Sequence, residues 1–160
     1  MFASHMARWG SIEALGVAMH IYLKNSRVRP WSTRQTKTVG RLRVLVVDDN
    51  QNAAEALAAY LTFEGMTCRL AHGGVQAVDV ATEWLPDVVI MDISMPGLNG
   101  VEATRALRRD LRTGNIVVIA FTALDEDEVL RHLTHLIFDG YCQKGQPPSV
   151  LVGLINTFVT

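Results

Sequence analysis

The stretch Val88-Val89-Ile90-Met91-Asp92-Ile93-Ser94-Met95-Pro96-Gly97 decides the fold of this chain. Its first four residues are apolar without interruption, which predicts a strand buried on both faces, as in a parallel sheet. Asp92 follows that strand directly, before a Pro-Gly turn. Because ligand sites in open α/β sheets lie outside the carboxyl ends of the strands, Asp92 is a candidate reacting group. A strand-end aspartate that only caps a turn is the simpler alternative.

Five apolar strands, each followed by a helix, are predicted between residues 42 and 160. The strands are predicted at 43–47, 67–71, 87–91, 116–121 and 139–143, and the helices at 53–63, 75–84, 101–111, 125–136 and 147–159. Five β-α units with short connections predict an α/β fold with a doubly wound, five-stranded parallel sheet. In the third helix, Arg105, Arg108 and Arg109 are expected mostly to face outward.

A basic leader, residues 1–41, precedes this domain. Residues 1–43 carry eight basic side chains and one acidic one, whereas residues 44–160 carry seven and fifteen. One short amphipathic helix is predicted within Ile12–Leu23, and the polar segment Ser26–Val39 is interpreted as a linker. Ser4-His5-Met6 resembles the remnant of a vector cloning site. No nucleic-acid-reading module surrounds the basic residues, so we expect no direct nucleic-acid binding.

The sequence shows no export or membrane signal. Its longest apolar stretch, Ile12–Leu23, is too short to span a bilayer. Cys68 and Cys142 are predicted on opposite edge strands, much too far apart for a disulfide. These features favour a cytoplasmic protein.

Polar side chains follow four of the five predicted strands: Asp48-Asp49, Asp92, Thr122 and Lys144. These four strands are adjacent in a doubly wound sheet, so the side chains converge on one rim. Three carboxylates in one cleft repel each other, and clustered oxygen ligands select a hard divalent ion such as Mg²⁺. A metal, an ammonium and a hydroxyl form a set that binds a phosphoryl group. A carboxylate held there can itself be the nucleophile.

Residues 42–160 resemble the receiver domain of two-component response regulators, the CheY-like superfamily. Four segments at strand ends carry the resemblance: Val44–Asn50, Met91–Gly100, Phe121–Ala123 and Tyr141–Lys144. The resemblance implies a flavodoxin-like (β/α)5 fold with strand order 2-1-3-4-5. It also implies a cytoplasmic signalling protein that works in a phosphorelay.

The resemblance implies that Asp92 accepts a phosphoryl group from a phosphohistidine on a histidine kinase or a histidine phosphotransfer protein. Asp49 would bind Mg²⁺ directly, and Asp48 would hold it mainly through water. The backbone carbonyl of Ser94 would complete the protein ligands together with Asp92. Such a domain is not an enzyme in the ordinary sense, because it takes its own phosphoryl group and slowly hydrolyses it.

The resemblance also implies how the signal leaves the site. Lys144 would pair with a phosphoryl oxygen, Thr122 would move toward the phosphoryl group, and Tyr141 would turn inward behind it. The face made by the fourth helix, the fifth strand and the fifth helix would then dock an unidentified protein partner.

Three features of this chain depart from, or bear on, the pattern of this family. Receivers usually follow the lysine with a proline, often through a cis bond, but this chain has Gly145, so its loop is expected to be trans, looser or differently aimed. The bulky pair Ile137-Phe138 replaces a small pair at the end of the fourth helix. Leu124, two residues after Thr122, is bulky and apolar, and we expect it to hinder the water that removes the phosphoryl group.

Other functions are compatible with parts of this pattern. A phosphatase with an aspartyl nucleophile wants a second acid two residues later, where this chain has Ser94. A flavin or nucleotide module wants a glycine-rich loop after the first strand, where this chain has Asp48-Asp49-Asn50-Gln51. A pseudo-receiver that docks partners without phosphorylation stays open because of Gly145. The end of the chain at Thr160 leads us to expect a free-standing receiver or the receiver of a hybrid kinase, without a DNA-binding domain downstream.

Overall fold

A six-stranded sheet with helices on both faces makes up the computed structural model, which describes residues 27–133 and 136–160. The strands are β1 (Val28–Pro30), β2 (Arg43–Val47), β3 (Thr67–Ala71), β4 (Val88–Met91), β5 (Val117–Thr122) and β6 (Gly140–Gln143). The helices are α1 (Gln51–Phe63), α2 (Gly74–Trp84), α3 (Gly100–Arg109), α4 (Glu126–Arg131) and α5 (Pro148–Thr157). The helix predicted within residues 12–23 lies outside the described residues.

The parallel part of the sheet has the order β3-β2-β4-β5-β6, and β1 pairs with β6 in the antiparallel sense. Counted from the first predicted strand, this order is 2-1-3-4-5, so the prediction of a doubly wound parallel sheet is confirmed. In register, Val47 lies between Ala71 and Met91, and Met91 lies beside Ala120. The carboxyl ends of β2, β4 and β5 therefore meet at one edge of the sheet.

The core lies on both faces of the sheet because alternate strand residues point to opposite sides. On one face, Leu45 and Val89 pack in the cluster that holds the buried residues of α2, α3 and α4. On the other face, Val44 and Val88 pack in the cluster that holds those of α1 and α5. Every residue of β4 is buried, as its apolar run predicts.

Helix α4 is shorter than predicted, because it ends at Arg131 instead of residue 136. Its start is well defined: the Asp125 carboxylate accepts from the N–H of Glu128 and the Glu128 carboxylate accepts from the N–H of Asp125, each at 2.8 Å. Beyond the helix, Ile137 is partly buried against the core and Phe138 is fully buried in it. Bringing this bulky pair into the core requires the chain to leave the helix early.

The interpretation of Ser26–Val39 as a linker is wrong for its described part. Val28 pairs with Cys142, Arg29 with Tyr141 and Pro30 with Gly140, which makes β1 the edge strand. Proline is tolerated at such an edge because it has no ladder N–H to lose. Consequently β6, which was expected at the edge, is an inner strand.

Arg108 does not face outward as expected. Its guanidinium lies 2.8 Å from the carboxylate of Asp139, and it donates to the carbonyls of Gly114, Ile116 and Ile137. The other oxygen of the Asp139 carboxylate accepts from Arg34 at 2.8 Å. Asp139 is buried, and these bonds compensate for its lost hydration.

Both cysteines are free thiols. Cys68 lies on β3 and Cys142 on β6, and the strands β5, β4 and β2 separate them in the sheet. Burial raises the pKa of the Cys142 thiol to about 11, so this thiol stays protonated and unreactive at neutral pH. Among the described helices, none combines the length and the apolar character needed to cross a membrane.

Candidate functional site

Three carboxylates meet at the carboxyl edge of the sheet. Asp48 and Asp49 follow β2, and Asp92 follows β4, its neighbour in the sheet. One oxygen from each side chain lies within 4.8 Å of the others. Asp48 and Asp92 are 4% and 5% exposed, whereas Asp49 is open to solvent. The prediction that these three acids converge is therefore confirmed by their positions.

Backbone donors orient the two buried acids. The N–H of Asn50 donates to Oδ1 of Asp48 at 2.9 Å, and the N–H of Ser94 donates to Oδ1 of Asp92 at 3.2 Å. In both cases the donor lies two residues after the acid, a local turn that strand-end aspartates favour. The turn-capping role weighed for Asp92 is thus real, and it coexists with the site.

A glycine leaves room for the backbone of Asp92. A side chain at Gly100, the first residue of α3, would clash with the backbone carbonyl of Asp92 and with Ile93. The N–H of Gly100 donates to the carbonyl of Ile93 at 3.1 Å. The start of α3 therefore packs directly on the chain that carries Asp92, and only glycine permits that approach.

Lys144 reaches both buried acids from the end of β6. Its Nζ lies 2.7 Å from Oδ2 of Asp48 and 3.3 Å from Oδ2 of Asp92. Its backbone N–H donates to the carbonyl of Thr122 at 2.8 Å, which ties the end of β6 to the end of β5. No peptide bond among the described residues is cis, and Gly145 has φ +93°. The expected trans loop is found, and it still aims the ammonium into the site.

The electrostatics of Asp92 and Lys144 depend on each other. Burial raises the pKa of Asp92, the charge of Lys144 opposes that rise, and the charge of Asp48 adds to it. Burial alone lowers the pKa of Lys144, but its hydrogen bond to Asp48 and the charges of Asp92 and Asp48 outweigh that, so the net shift is upward. The ammonium stays protonated at neutral pH, and a carboxylate with a raised pKa is the better nucleophile.

The acidic cluster fits a hard divalent cation. Lys144 neutralises one of three negative charges, and the Asp49 carboxylate has no hydrogen-bond or ion-pair partner within residues 27–133 and 136–160. Carboxylate oxygens that are grouped so closely are the ligands that Mg²⁺ prefers. The role of the Ser94 carbonyl as a further ligand stays a prediction.

Thr122 and Tyr141 are joined through the loop after β5. The Thr122 hydroxyl accepts from the N–H of Leu124 at 3.3 Å, and the Tyr141 hydroxyl donates to the carbonyl of Leu124 at 2.8 Å. Both side chains are buried, with 1% exposed. Burial and the acids of the α4 first turn raise the pKa of Tyr141, so its hydroxyl remains a donor. The backbone of Leu124 thus connects the two predicted switch residues.

A cleft of about 430 Å³ is lined by the loop after Asp92 and by the first turns of α3. Ser94 and Leu124, the residues two positions after Asp92 and Thr122, both line it. Leu124 therefore borders this cleft, and the expectation that its bulk hinders water stays a prediction.

Sequence reasoning missed two residues next to the switch. The ring of Trp31 stacks on that of Tyr141, and its indole N–H donates to the carboxylate of Glu126 at 2.7 Å. A tryptophan within a polar, basic segment was a signal that this segment packs against something. Glu126 gave no such signal, since three neighbouring acids also suit the start of a helix.

Comparison with known proteins supports this reading of the site. The sequence model of the response regulator receiver domain matches residues 44–156. Protein PilH of Pseudomonas aeruginosa is 44% identical over 85 residues, which are 53% of this chain and 70% of PilH. The response regulator MprA of Mycobacterium avium is 40% identical over 85 residues, 52% of this chain but only 36% of MprA.

One solved structure of a response regulator is similar to this chain in both fold and sequence. The structure of response regulator protein TrrA from Thermotoga maritima, in complex with Mg²⁺-BeF, superposes with a TM-score of 0.66 at 29% identity. The superposition covers 73% of this chain and 98% of that one.

Proposed function

Because this chain belongs to the response regulator receiver domain family of two-component signalling, we propose that it is a phosphorylatable switch with Asp92 as the acceptor. The observation that carries the proposal is the position of Lys144, whose ammonium lies 2.7 Å from Asp48 and 3.3 Å from Asp92. An ammonium at this point, with three acids around it, is suited to hold a phosphoryl group on Asp92.

The donor in this proposal is a phosphohistidine on a histidine kinase or a histidine phosphotransfer protein. A carboxylate oxygen of Asp92 forms a bond to phosphorus while the bond from phosphorus to the imidazole nitrogen breaks. The leaving nitrogen keeps the electron pair of that bond and takes a proton. Lys144 pairs with an oxygen of the transferred group, and the Thr122 hydroxyl donates to another.

Mg²⁺ is the metal proposed for the site, held by Asp48, Asp49, Asp92 and the carbonyl of Ser94. When bound, the ion offsets the negative charge that gathers on the phosphoryl oxygens. Support comes from the grouped carboxylate oxygens of this chain. Further support comes from the similar structure of TrrA, at 29% identity, which is in complex with Mg²⁺-BeF.

The proposed switch is not a turnover enzyme. Two residues after the acceptor, where an aspartyl phosphatase places a general acid, this chain has Ser94. Loss of the phosphoryl group then depends on water, and Leu124 lines a cleft together with Ser94, two residues after the acceptor. A docking partner for the face of α4, β6 and α5, which β1 covers along β6 in this structure, belongs to the same proposal. A cytoplasmic location belongs to it as well.

The second candidate function is a pseudo-receiver that docks partners without phosphorylation. Gly145 favours it, since the family usually places a proline after the lysine. The grouping of three carboxylates around a single ammonium speaks against it, because it leaves negative charge that a bound cation would balance.

Intact mass after incubation with acetyl phosphate and Mg²⁺ tests the proposal. The parent should gain one phosphoryl group, about 80 Da, and Asp92→Asn should gain none, because only a carboxylate nucleophile forms the acyl phosphate. EDTA should abolish the gain. If the parent gains no phosphoryl group and also fails to bind beryllofluoride, the switch is rejected and the pseudo-receiver is favoured.

A further inference from the structure

The segment Val28–Thr36, here called the N-terminal arm, is fastened to the domain along its length. Its first part is β1, paired with β6. In its middle, Ser32 and Arg34 both contact Oδ1 of Asp139, at 2.7 and 2.8 Å. At its end, the N–H of Thr36 donates to the carbonyl of Phe158 at 2.7 Å. The arm therefore has a fixed position relative to β6 and the end of α5.

The arm also contacts the start of α4, just beyond the loop that follows Thr122. The carboxylate of Glu126, in the first turn of α4, accepts from the indole N–H of Trp31 at 2.7 Å and pairs with Arg29 at 3.2 Å. Glu126 is 7% exposed, so both contacts are shielded from water. These residues are about a hundred positions apart in sequence, and only the fold brings them together.

The arm closes a ring of contacts around the switch. The Trp31 and Tyr141 rings stack with centroids 5.4 Å apart and planes 8° from parallel. Tyr141 donates to the Leu124 carbonyl, and the Leu124 N–H donates to Thr122. Glu126, two residues after Leu124, accepts a hydrogen bond from the indole N–H of Trp31. Thr122 is therefore connected to the arm through two sets of contacts, one that includes Tyr141 and one that includes Glu126.

We propose that the N-terminal arm is an intramolecular brake on this switch, an inference that rests on the proposed phosphorylation of Asp92. In that function, Thr122 moves toward the phosphoryl group and draws the Leu124–Glu126 loop with it. The arm cannot follow, because Asp139 and Phe158 hold it in place. The movement must therefore weaken the contacts of Glu126 with Trp31 and Arg29, and these contacts oppose phosphorylation.

The brake makes a reciprocal prediction about two ligands of the domain. If the arm disfavours the conformation that phosphorylation selects, then a phosphoryl mimic at Asp92 must loosen the arm by the same free energy. Binding of Mg²⁺ and beryllofluoride should accordingly speed amide hydrogen exchange in peptides spanning residues 27–36. Exchange in β3, on the far edge of the sheet, should be unchanged.

The test is calorimetric titration of beryllofluoride in the presence of Mg²⁺, with the parent, Trp31→Ala and Glu126→Gln. Releasing the brake should tighten binding by about fivefold or more in Trp31→Ala, the lower end of typical coupling. The gain should be smaller in Glu126→Gln, which keeps an acceptor for Trp31 but loses the charge that pairs with Arg29. Trp31→Phe, which keeps an aromatic ring but loses the indole donor, should fall between the parent and Trp31→Ala. Gln35→Ala is the control in the arm, because Gln35 contacts the carbonyl of Thr157 and not the loop.

The outcomes separate the two proposals. Unchanged or weaker binding in Trp31→Ala and Glu126→Gln, with binding intact in the parent and lost in Asp92→Asn, overturns the brake and leaves the proposed function standing. Absence of binding in every protein rejects both. Melting curves show that the variants are folded, and Trp31→Phe, which keeps a ring on Tyr141 but loses the bond to Glu126, decides if Trp31→Ala unfolds.

Discussion

The ammonium of Lys144 lies 3.3 Å from the carboxylate of Asp92, although the next residue is glycine with φ +93°. A proline after Lys144 is therefore not needed to direct its ammonium toward Asp92. Two other features set its direction: the bond from its backbone N–H to the carbonyl of Thr122, and the shorter contact with Asp48 at 2.7 Å.

Lys144→Met should lower the free energy of unfolding in EDTA by about 1–3 kcal/mol, since two buried carboxylates lose their shared partner. Mg²⁺ should reduce this loss, because an ion that binds only the folded state stabilises it. Urea unfolding with and without Mg²⁺ measures both effects. Lys37→Met is the matched control, since Lys37 is exposed; an equal loss there would remove the explanation.

Gly145→Pro should re-aim Lys144 instead of restoring a better receiver. The proline ring requires φ near −65°, which is incompatible with φ +93° at this position. We expect a loss of about 1–3 kcal/mol in unfolding free energy and weaker beryllofluoride binding. Unaltered stability and binding would show that the loop adapts freely.

Gly145→Ala and Gly153→Ala should change stability in opposite directions. A Cβ at either position meets nothing within 4 Å, so only the backbone decides. Alanine at Gly145 must adopt the left-handed region and should cost about 1–2 kcal/mol. Alanine at Gly153, inside α5, should stabilise by about 0.5–1 kcal/mol. Thermal and urea unfolding of the two variants, compared side by side, checks both signs.

Asp139→Asn should be among the most destabilising single changes. Asp139 is buried with Arg108 and Arg34 on its carboxylate, so its replacement leaves the Arg108 guanidinium with an uncompensated charge. Breaking a buried ion pair in this way costs roughly 3–5 kcal/mol.

The matched control for that change is Asp110→Asn. Asp110 pairs with Arg112 at 2.8 Å on the surface, and its loss should leave the urea midpoint unchanged. Similar midpoints for the two variants would contradict the assignment of Asp139 as a structural centre.

Leu124→Glu should shorten the lifetime of the phosphoryl group severalfold. Leu124 contacts Thr122 and Tyr141 through its backbone, so the substitution keeps those bonds while it places a carboxylate where Leu124 lines the cleft. A carboxylate there can orient the attacking water, the role of a general base. Decay of the phosphorylated form, followed by intact mass, gives the rate.

Leu111→Glu makes the same chemical change at a side chain that is 99% exposed and lies outside the cleft. Its decay rate should equal that of the parent. Equal rates in Leu124→Glu and the parent would instead end the idea that this side chain hinders water.

The sequence alone determined those features of this protein that follow from local patterns of apolar and polar residues. Continuous apolar runs predict buried parallel strands, and a doubly wound sheet brings the residues after those strands to one rim. Asp48, Asp49, Asp92 and Lys144 were found in this way, and the structure brings them together. Their positions follow from the fold class, so no detail of packing was needed to place them.

Only the tertiary structure decided where the N-terminal arm and Arg108 lie. A three-residue strand has too little periodicity to be recognised, and β1 exists because β6 offers unpaired backbone groups at the edge of the sheet. Arg108 turns inward because it bonds to Asp139 and to three backbone carbonyls there. Trp31 packs on Tyr141, which is 110 positions away in the sequence. Such contacts join distant parts of the chain, so their energies have no signature within any short stretch of sequence.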